Sequence, residues 1–185
     1  MEYKERKNPL FAACGLNCGL CPRYHTKGES RCPGCAGKGF SLVHPPCGVL
    51  SCALRKGLEY CFLCDDFPCE KYDGVDSSDS FITHKNQLKD FEKAKQIGLK
   101  EYEAKLDVKV KILIELLENY NDGRRKSFFC LAVNLLELND IQFVMAQIAE
   151  QTKTIVTTKE KSAIAARLFQ NMADKRSVCL QLRKK

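Results

Sequence analysis

The spacing of apolar residues divides the chain into two parts with different predicted structures. Before residue 80 no long segment has a helical period, and turn-forming pairs such as Pro33-Gly34 and Pro45-Pro46 recur. This part holds 9 of the 11 glycines and all 6 prolines. We therefore expect an irregular N-terminal part with one helix, from about Leu50 to Gly57.

After His84 the apolar residues recur at helical spacing, which predicts a mostly α-helical second part. Leu88 and Phe91 lie in a first helix that ends at Gly98. A second helix stops at Asn121-Asp122-Gly123, because glycine adopts the left-handed conformation that follows many helix ends. The apolar stripe predicted for this second helix consists of Leu106, Val110, Leu113, Ile114, Leu117 and Tyr120.

Three further helices are expected before the C-terminus. Segment 127–138 is very apolar and predicts a buried helix, and Asn139 or Asp140 can cap the next helix, 141–149. A capping-box pattern, Thr157-x2-Glu160, opens the last helix. The remaining segments, 153–156 and 178–182, favour short strands, since the second of them alternates apolar and polar residues.

Ten of the twelve cysteines fall between residues 14 and 69 at the spacings of metal ligands. Their order is Cys14-x3-Cys18-x2-Cys21, Cys32-x2-Cys35, Cys47-x4-Cys52 and Cys61-x2-Cys64-x4-Cys69. A tight turn between the two residues of a Cys-x2-Cys pair directs both sulfurs at one centre, and zinc takes four such ligands in a tetrahedron. Three such pairs within one segment indicate a metal-binding module.

The expected compartment supports metal over disulfides. The N-terminus lacks the apolar stretch of a signal peptide, and no run of about 18 apolar residues could span a membrane. We therefore expect a cytoplasmic protein, and in that compartment disulfides rarely persist. A short, loop-rich module also buries too little apolar surface to fold without further stabilisation, and structural zinc contributes on the order of 10 kcal/mol to the free energy of folding.

We expect about two zinc ions, since zinc takes four thiolates. The sequential assignment places Cys18, Cys21, Cys32 and Cys35 on one ion and Cys47, Cys52, Cys61 and Cys64 on the other. It leaves Cys14 and Cys69 unassigned, and either could replace a neighbour. Iron–sulfur is the alternative cofactor, because thiolates also hold iron. The Cys14-x3-Cys18-x2-Cys21 spacing is that of radical S-adenosylmethionine enzymes, but their strand-and-helix barrel does not match the helical second part.

The other histidines and cysteines, which could in principle bind a metal or react, are expected to have structural roles. His25 and His44 are expected to pack or face solvent, because thiols already exceed the number of ligands that zinc requires. Cys130 and Cys179 are expected to be small buried hydrophobic residues. No Ser-His-Asp signature, P-loop or glycine-rich nucleotide motif is present, so no catalytic residue can be named and a non-enzymatic protein is favoured over an enzyme.

The net charge of +7 comes from residues 80–185, which hold 20 Lys and Arg against 13 Asp and Glu. Arg124, Arg125 and Lys126 lie between a helix end and a helix start, where an anion could bind; the alternative is that these cations neutralise the preceding helix end. We expect a protein or an acidic ligand as partner and no membrane. No element that reads nucleic acid is recognisable, so nucleic acid lacks the support of a motif.

The cysteine segment resembles a prokaryotic cysteine-rich family, the domain-of-unknown-function family 3795. The residues that carry this resemblance are Ala13-Cys14-Gly15-Leu16-Asn17-Cys18-Gly19-Leu20-Cys21-Pro22, Cys32-Pro33-Gly34-Cys35 and the run from Ser51 to Cys69. Longer members look similar through the segment 119–128. The resemblance implies a bacterial or archaeal protein with zinc sites and no assigned activity.

Together these patterns predict a mostly α protein with a small irregular Cys-rich, zinc-stapled N-terminal module and short C-terminal strands. The predicted domains are a metal-binding module, 1–79, and a basic helical domain, 80–185. The favoured function is a zinc-binding binding or adaptor module with structural metals. The alternatives are an iron–sulfur or zinc enzyme centred on the cysteines, and an anion or nucleic-acid binder that uses Arg124, Arg125 and Lys126.

Overall fold

The computed structural model describes residues 3–75 and 77–184, and over these ranges the chain is mostly helical, with no strand. The α-helices are α1 (Phe40–Val43), α2 (Gly48–Arg55), α3 (Gln87–Ile97), α4 (Leu99–Asn119), α5 (Lys126–Leu135), α6 (Leu138–Gln151) and α7 (Thr158–Lys175). Three short 3-10 helices lie at Cys18–Leu20, Cys61–Leu63 and Glu70–Tyr72. The predicted helical class with an irregular cysteine-rich N-terminal part is confirmed.

The predicted short strands at 153–156 and 178–182 are wrong. The Ile155 N–H donates to the Thr152 carbonyl oxygen at 3.1 Å, so the first segment begins in a turn. In the second, the Val178 N–H donates to the Ala173 carbonyl oxygen at 2.8 Å and closes the end of α7. Because these N–H groups are satisfied locally, they are not available for a ladder with another strand.

Helix α6 begins earlier than the predicted cap at Asn139 or Asp140. Its N-cap is Glu137, and both predicted residues lie inside the helix. Asp140 is buried and accepts two hydrogen bonds from the Arg176 guanidinium, at 2.6 and 2.9 Å. Its carboxylate is therefore used in packing against the end of α7 rather than in capping its own helix.

Two other local signals behave as predicted. Thr157 caps α7, and its hydroxyl oxygen accepts a hydrogen bond from the Glu160 N–H at 3.3 Å. Helix α4 ends at Asn119, four residues before Gly123, whose φ is +91°. The buried face of α4 differs from the predicted stripe at two positions, because Leu116, which was not predicted, is fully buried and Ile114, which was predicted, is 40% exposed.

The described residues form two compact units, one from Met1–Leu106 with Leu182–Lys185 and the other from Asp107–Gln181. In the first unit, Phe91 of α3 packs against aromatic rings of the cysteine-rich part. Its ring centroid lies 5.6 Å from that of Phe11, 4.9 Å from that of Phe62 and 5.5 Å from that of Phe67. The domain boundary expected after residue 79 stays a prediction, because grouping by contacts does not test independent folding.

In the second unit, α7 packs on α5 and α6. The rings of Phe129 and Phe169 are fully buried and their centroids lie 6.1 Å apart. Cys130 is buried as expected, whereas the expectation of a buried Cys179 is wrong because this residue is exposed after α7 ends. No helix among the described residues is both long enough and apolar enough to cross a membrane.

Candidate functional site

The ten cysteines between residues 14 and 69 lie in the first unit, and none of them is bridged by a disulfide. They fall into two groups by proximity, and the groups meet where Cys61 neighbours Cys14. We call the first the core thiol group; it comprises Cys14, Cys18, Cys21, Cys32, Cys35 and Cys47. We call the second the cavity thiol group; it comprises Cys52, Cys61, Cys64 and Cys69.

Tight turns bring the core thiol group together. The Cys21 N–H donates to the Cys18 carbonyl oxygen at 3.1 Å, so these two cysteines flank one 3-10 turn. The turn before Cys35 passes through Gly34, whose φ of +89° favours glycine. Cys47 caps α2, with its sulfur 3.5 Å from the Leu50 nitrogen.

Burial and mutual proximity disfavour charge on the core thiols. Burial raises the pKa of Cys14 and of Cys18, and the neighbouring Cys35 would raise both further by repulsion if it were ionised. Burial also raises the pKa of Cys35, although the guanidinium of Arg6 opposes this. In the absence of a bound cation, these thiols are therefore held in their protonated form.

Arg6 is a buried cation beside the core thiol group that sequence reasoning missed. Its Nη1 donates to the Phe11 carbonyl oxygen at 2.8 Å, and its Nη2 lies 2.9 Å from the carbonyl oxygen and 3.1 Å from Oε1 of Glu59. The same guanidinium lies close enough to Cys35 to oppose the rise in its pKa, and it lies over the ring of Tyr60. No local signal marks Arg6, because it stands in an ordinary charged N-terminal run.

The cavity thiol group borders a cavity of about 360 Å³. One wall is α2, which carries Cys52, together with Lys56 directly after its end. The opposite wall is the turn in which the Cys64 N–H donates to the Cys61 carbonyl oxygen at 3.0 Å. The other lining residues are Val49, Ala53, Arg55, Leu58, Asp66, Phe67, Cys69, Glu70, Lys71 and Tyr72.

Two polar side chains contact thiols of the cavity group. Lys56 Nζ donates to Cys64 Sγ at 3.1 Å and to Asp66 Oδ2 at 2.6 Å. The hydroxyl of the buried Tyr72 donates to the Cys14 carbonyl oxygen at 3.3 Å and lies beside the Cys61 thiol. Tyr72 therefore joins the backbone of the core thiol group to a thiol of the cavity group. Neither side chain was identified from the sequence.

The thiols are of the right chemical type and number to bind metal ions, but they are not arranged around a common centre. All ten donors are sulfur, which suits zinc, copper(I) or iron, and two groups suit two ions. In the part of the chain that the structure describes, however, no three His, Cys, Asp or Glu side chains are arranged as ligands of one ion. Loading would therefore require side chains to rotate toward a common centre.

The predicted pairing of cysteines with ions stays a prediction. Cys18, Cys21, Cys32 and Cys35 do lie together, and Cys52, Cys61 and Cys64 do as well. Cys47 instead neighbours Cys14 and Cys35, and Cys69 completes the cavity group.

Both histidines of the cysteine-rich part have packing contacts. His25 Nε2 lies 2.8 Å from the Gly19 carbonyl oxygen, to which it donates. The ring of His44 stacks on Phe40 with centroids 4.4 Å apart, and its Nδ1 lies 2.7 Å from the Pro45 carbonyl oxygen.

The basic loop before α5 has its own hydrogen bonds. Asn121 Oδ1 accepts from the N–H groups of Gly123 and Arg125, and Asp122 Oδ1 accepts from the Arg124 N–H. These backbone donors are therefore already engaged in the loop. The side chains of Arg124 and Arg125 are exposed, and Lys126 is half-buried. Anion binding by this loop stays a prediction.

Comparison with known proteins supports the resemblance found in the sequence. Neither the curated proteins nor the solved structures include a match to the chain. The model of one family, described as "Protein of unknown function (DUF3795)", matches residues 10–74. Segment 10–74, which contains all ten clustered cysteines, is therefore the part of this chain that is similar to that family.

Proposed function

We propose that the cysteine-rich part binds two thiophilic metal ions, zinc in the simplest case, which serve mainly as structural elements of a non-enzymatic binding or adaptor protein. The observation that carries this proposal is the arrangement of ten unbridged thiols in two groups within one compact unit. Such a concentration of thiols without disulfides has metal binding as its simplest chemical use.

The small apolar core around the thiols supports a structural role for the metal. Of the eight buried residues in this core, four are alanine and two are cysteine, and the other two are Phe40 and Leu50. Alanine side chains bury little apolar surface, so their contribution to folding is small. A metal ion held by thiolates would add the missing free energy, since binding to the folded state alone stabilises that state.

The charges beside the two groups also support thiolate–metal centres. Four thiolates on one zinc ion leave a net charge of −2, which is costly to bury without compensation. Arg6 provides a buried cation at Cys35, and Lys56 provides a cation at Cys64. Each thiol group therefore has one cation close to it.

Metal content per chain, measured by elemental analysis on protein purified without oxygen, tests the proposal. Two zinc ions per chain and no iron would support it. Iron with matching sulfide would instead favour an iron–sulfur protein and direct attention to Cys14, Cys18 and Cys21. Folded protein that holds no metal, and takes up none when zinc is added, would overturn the proposal.

A matched pair of cysteine variants tests whether the clustered thiols bind the metal. Cys35→Ser removes a buried thiol of the core group, whereas Cys179→Ser removes an exposed thiol outside both groups. We expect the first variant to retain one zinc ion and the second to retain two. Equal zinc content in both variants would contradict the assignment of Cys35 as a ligand.

A further inference from the structure

We infer that the loop 23–31 and Phe81 form a surface that binds single-stranded nucleic acid, with unpaired bases stacked on the rings of Tyr24 and Phe81 and phosphates bound by the cations of the loop. These residues all belong to the first unit. The inference goes beyond the metal binding proposed above and does not depend on it, because no thiol takes part in the contacts that form this surface.

Hydrogen bonds bring the two ends of the loop together. The Cys32 N–H donates to the Arg23 carbonyl oxygen at 3.0 Å, and Arg31 Nε donates to the Tyr24 carbonyl oxygen at 3.0 Å. Arg31, at the end of the loop, therefore lies against the first two residues of the loop.

Each of these two arginines lies over an aromatic ring. The guanidinium carbon of Arg31 is 4.9 Å from the ring centroid of Tyr24, and that of Arg23 is 5.0 Å from the ring centroid of Phe81. Arg23 and Tyr24 are adjacent in the chain, with Cα atoms about 3.8 Å apart. The two arginine–ring pairs are therefore neighbours.

Phe81 is an aromatic residue that lies outside the core. It is 63% exposed although Arg23 covers part of its ring, whereas the next residue, Ile82, is 7% exposed. The ring thus retains a flat apolar surface that is open to solvent. Bases stack on exposed aromatic rings of this kind whatever their sequence, and a neighbouring arginine strengthens the contact.

The loop carries more positive than negative charge. Residues 23–31 include Arg23, Lys27 and Arg31 but only one acid, Glu29. In the part of the chain that the structure describes, none of these three cations forms an ion pair. Their charges are therefore available to an anionic ligand, which identifies the ligand as one that carries phosphates or carboxylates.

Both guanidinium groups keep free donors. Arg23 Nη2 donates to the Val43 carbonyl oxygen at 3.3 Å, and Arg31 uses its Nε for Tyr24. A guanidinium has further N–H donors, and their fork matches the oxygens of a phosphate. Each arginine can therefore remain over its ring and bind a phosphate at the same time.

The combination of rings and cations favours an unpaired strand over other anionic partners. An acidic peptide would occupy the cations and leave the exposed ring of Phe81 without a use. A duplex presents phosphates but keeps the faces of its bases inside the stack. A single strand presents flat bases and phosphates along the same chain, which is what this surface complements.

Fluorescence anisotropy of the full chain with labelled oligothymidylate and oligouridylate, each of about twelve nucleotides, tests the inference. We expect binding that weakens as salt rises and that is weaker for the same strand in a duplex. Tighter binding of one strand identifies DNA or RNA as its source, and either result supports the inference. No binding of either strand, or equally effective displacement by polyglutamate, would overturn it. Zinc content is measured on the same preparation, so a failure of metal binding is recognised separately.

Phe81→Ala tests the stacking contact, and Phe143→Ala is its matched control because Phe143 of α6 is similarly exposed, at 57%. Since neither ring is buried, both variants should fold. Loss of the Phe81 ring should weaken binding about tenfold, equivalent to about 1.4 kcal/mol of binding free energy, while the control keeps the original affinity. Equal affinities of the two variants would overturn the stacking role.

Lys27→Gln tests the phosphate contact, and Lys159→Gln is its control, since both lysines are exposed. Loss of one phosphate contact to a single strand should reduce the slope of log affinity against log salt by about 0.7. The control should keep the original slope. An unchanged slope in Lys27→Gln would place the strand elsewhere on the chain, such as at Arg124 and Arg125, and would overturn the inference.

Discussion

The side-chain amide of Asn17 donates a hydrogen bond to the carboxylate of Asp90 at 2.9 Å, and both residues are buried. Tyr102 completes the network by donating its hydroxyl hydrogen to Asn17 Oδ1 at 3.0 Å. Asn17 stands between Cys14 and Cys18, whereas Asp90 belongs to α3 and Tyr102 to α4. This network therefore joins the first cysteine turn to two helices that follow it by more than 70 residues.

Replacement of Asn17 by alanine should strongly destabilise the protein. It removes the donor that Asn17 supplies to the buried Asp90 carboxylate and the acceptor that it supplies to the Tyr102 hydroxyl, and each such loss costs about 1–3 kcal/mol. Urea unfolding should therefore show a free energy of unfolding lower by about 3 kcal/mol. The exposed Gln170→Ala should change it by less than about 0.5 kcal/mol. Equal effects of the two substitutions would contradict the importance of the network.

Gly15→Ala should be more destabilising than Gly28→Ala. Both glycines have left-handed backbone conformations, with φ of +91° and +82°, so alanine costs about 1 kcal/mol at either position. A Cβ at Gly15 would also lie 2.6 Å from the Gln87 carbonyl oxygen and 3.0 Å from the Phe91 ring, whereas at Gly28 nothing lies within 4 Å. Thermal unfolding of the two variants isolates this steric cost, and similar melting temperatures would disprove it.

Asp79 should make stability depend on pH in the acid range. Burial alone would raise its pKa, but hydrogen bonds from the Arg183 guanidinium, the His84 N–H and the Arg183 N–H together lower it to about 2. The unfolded value is about 3.9, so the carboxylate stabilises the fold above pH 4 and loses this contribution as the pH falls toward 2.

The test of Asp79 is the Asp79→Asn variant, with the exposed Asp65→Asn as its control. Asp79→Asn should lower the free energy of unfolding at pH 7 by about 2 kcal/mol. The difference from the unmodified protein should nearly disappear at pH 2, because Asp79 is then about half protonated in the folded state and almost fully protonated in the unfolded state. A difference that stays constant from pH 7 to pH 2 would show that the carboxylate charge is not responsible.

Removal of metal should unfold the cysteine-rich part before the second unit. If zinc is structural, a strong chelator removes on the order of 10 kcal/mol of binding free energy from that part. Hydrogen exchange should then speed up around Cys18 and Cys35 while the amides of α5 remain protected. Unchanged exchange around these cysteines after complete zinc loss would mean that the metal does not stabilise the fold.

Helices and their ends were predictable because their signals are local. The 3.6-residue period of apolar side chains, the stop at Gly98 and the cap at Thr157 all depend on residues within a few positions of each other. The two expected strands failed for the complementary reason. A strand requires a partner elsewhere in the chain, and alternation alone cannot supply one.

The candidate site was predictable only as a list of thiols. The Cys-x2-Cys spacing marks the residues, but it does not say which turns meet, so the place of Cys47 beside Cys14 emerged only from the fold. The charged residues beside the thiols could not be identified from the sequence either. Arg6 and Lys56 are ordinary surface residues in sequence terms until folding brings them against Cys35 and Cys64.

The sequence by itself therefore determined the helical class and the cysteine-rich N-terminal part, because periodicity, caps and cysteine spacing are short-range properties. Only the tertiary structure decided how ten thiols divide into two neighbouring groups, one of which lines a cavity. It also joined Asp79 to Arg183, which are 104 residues apart. Such contacts follow from the packing of the chain as a whole, and no local pattern encodes which distant side chains will meet.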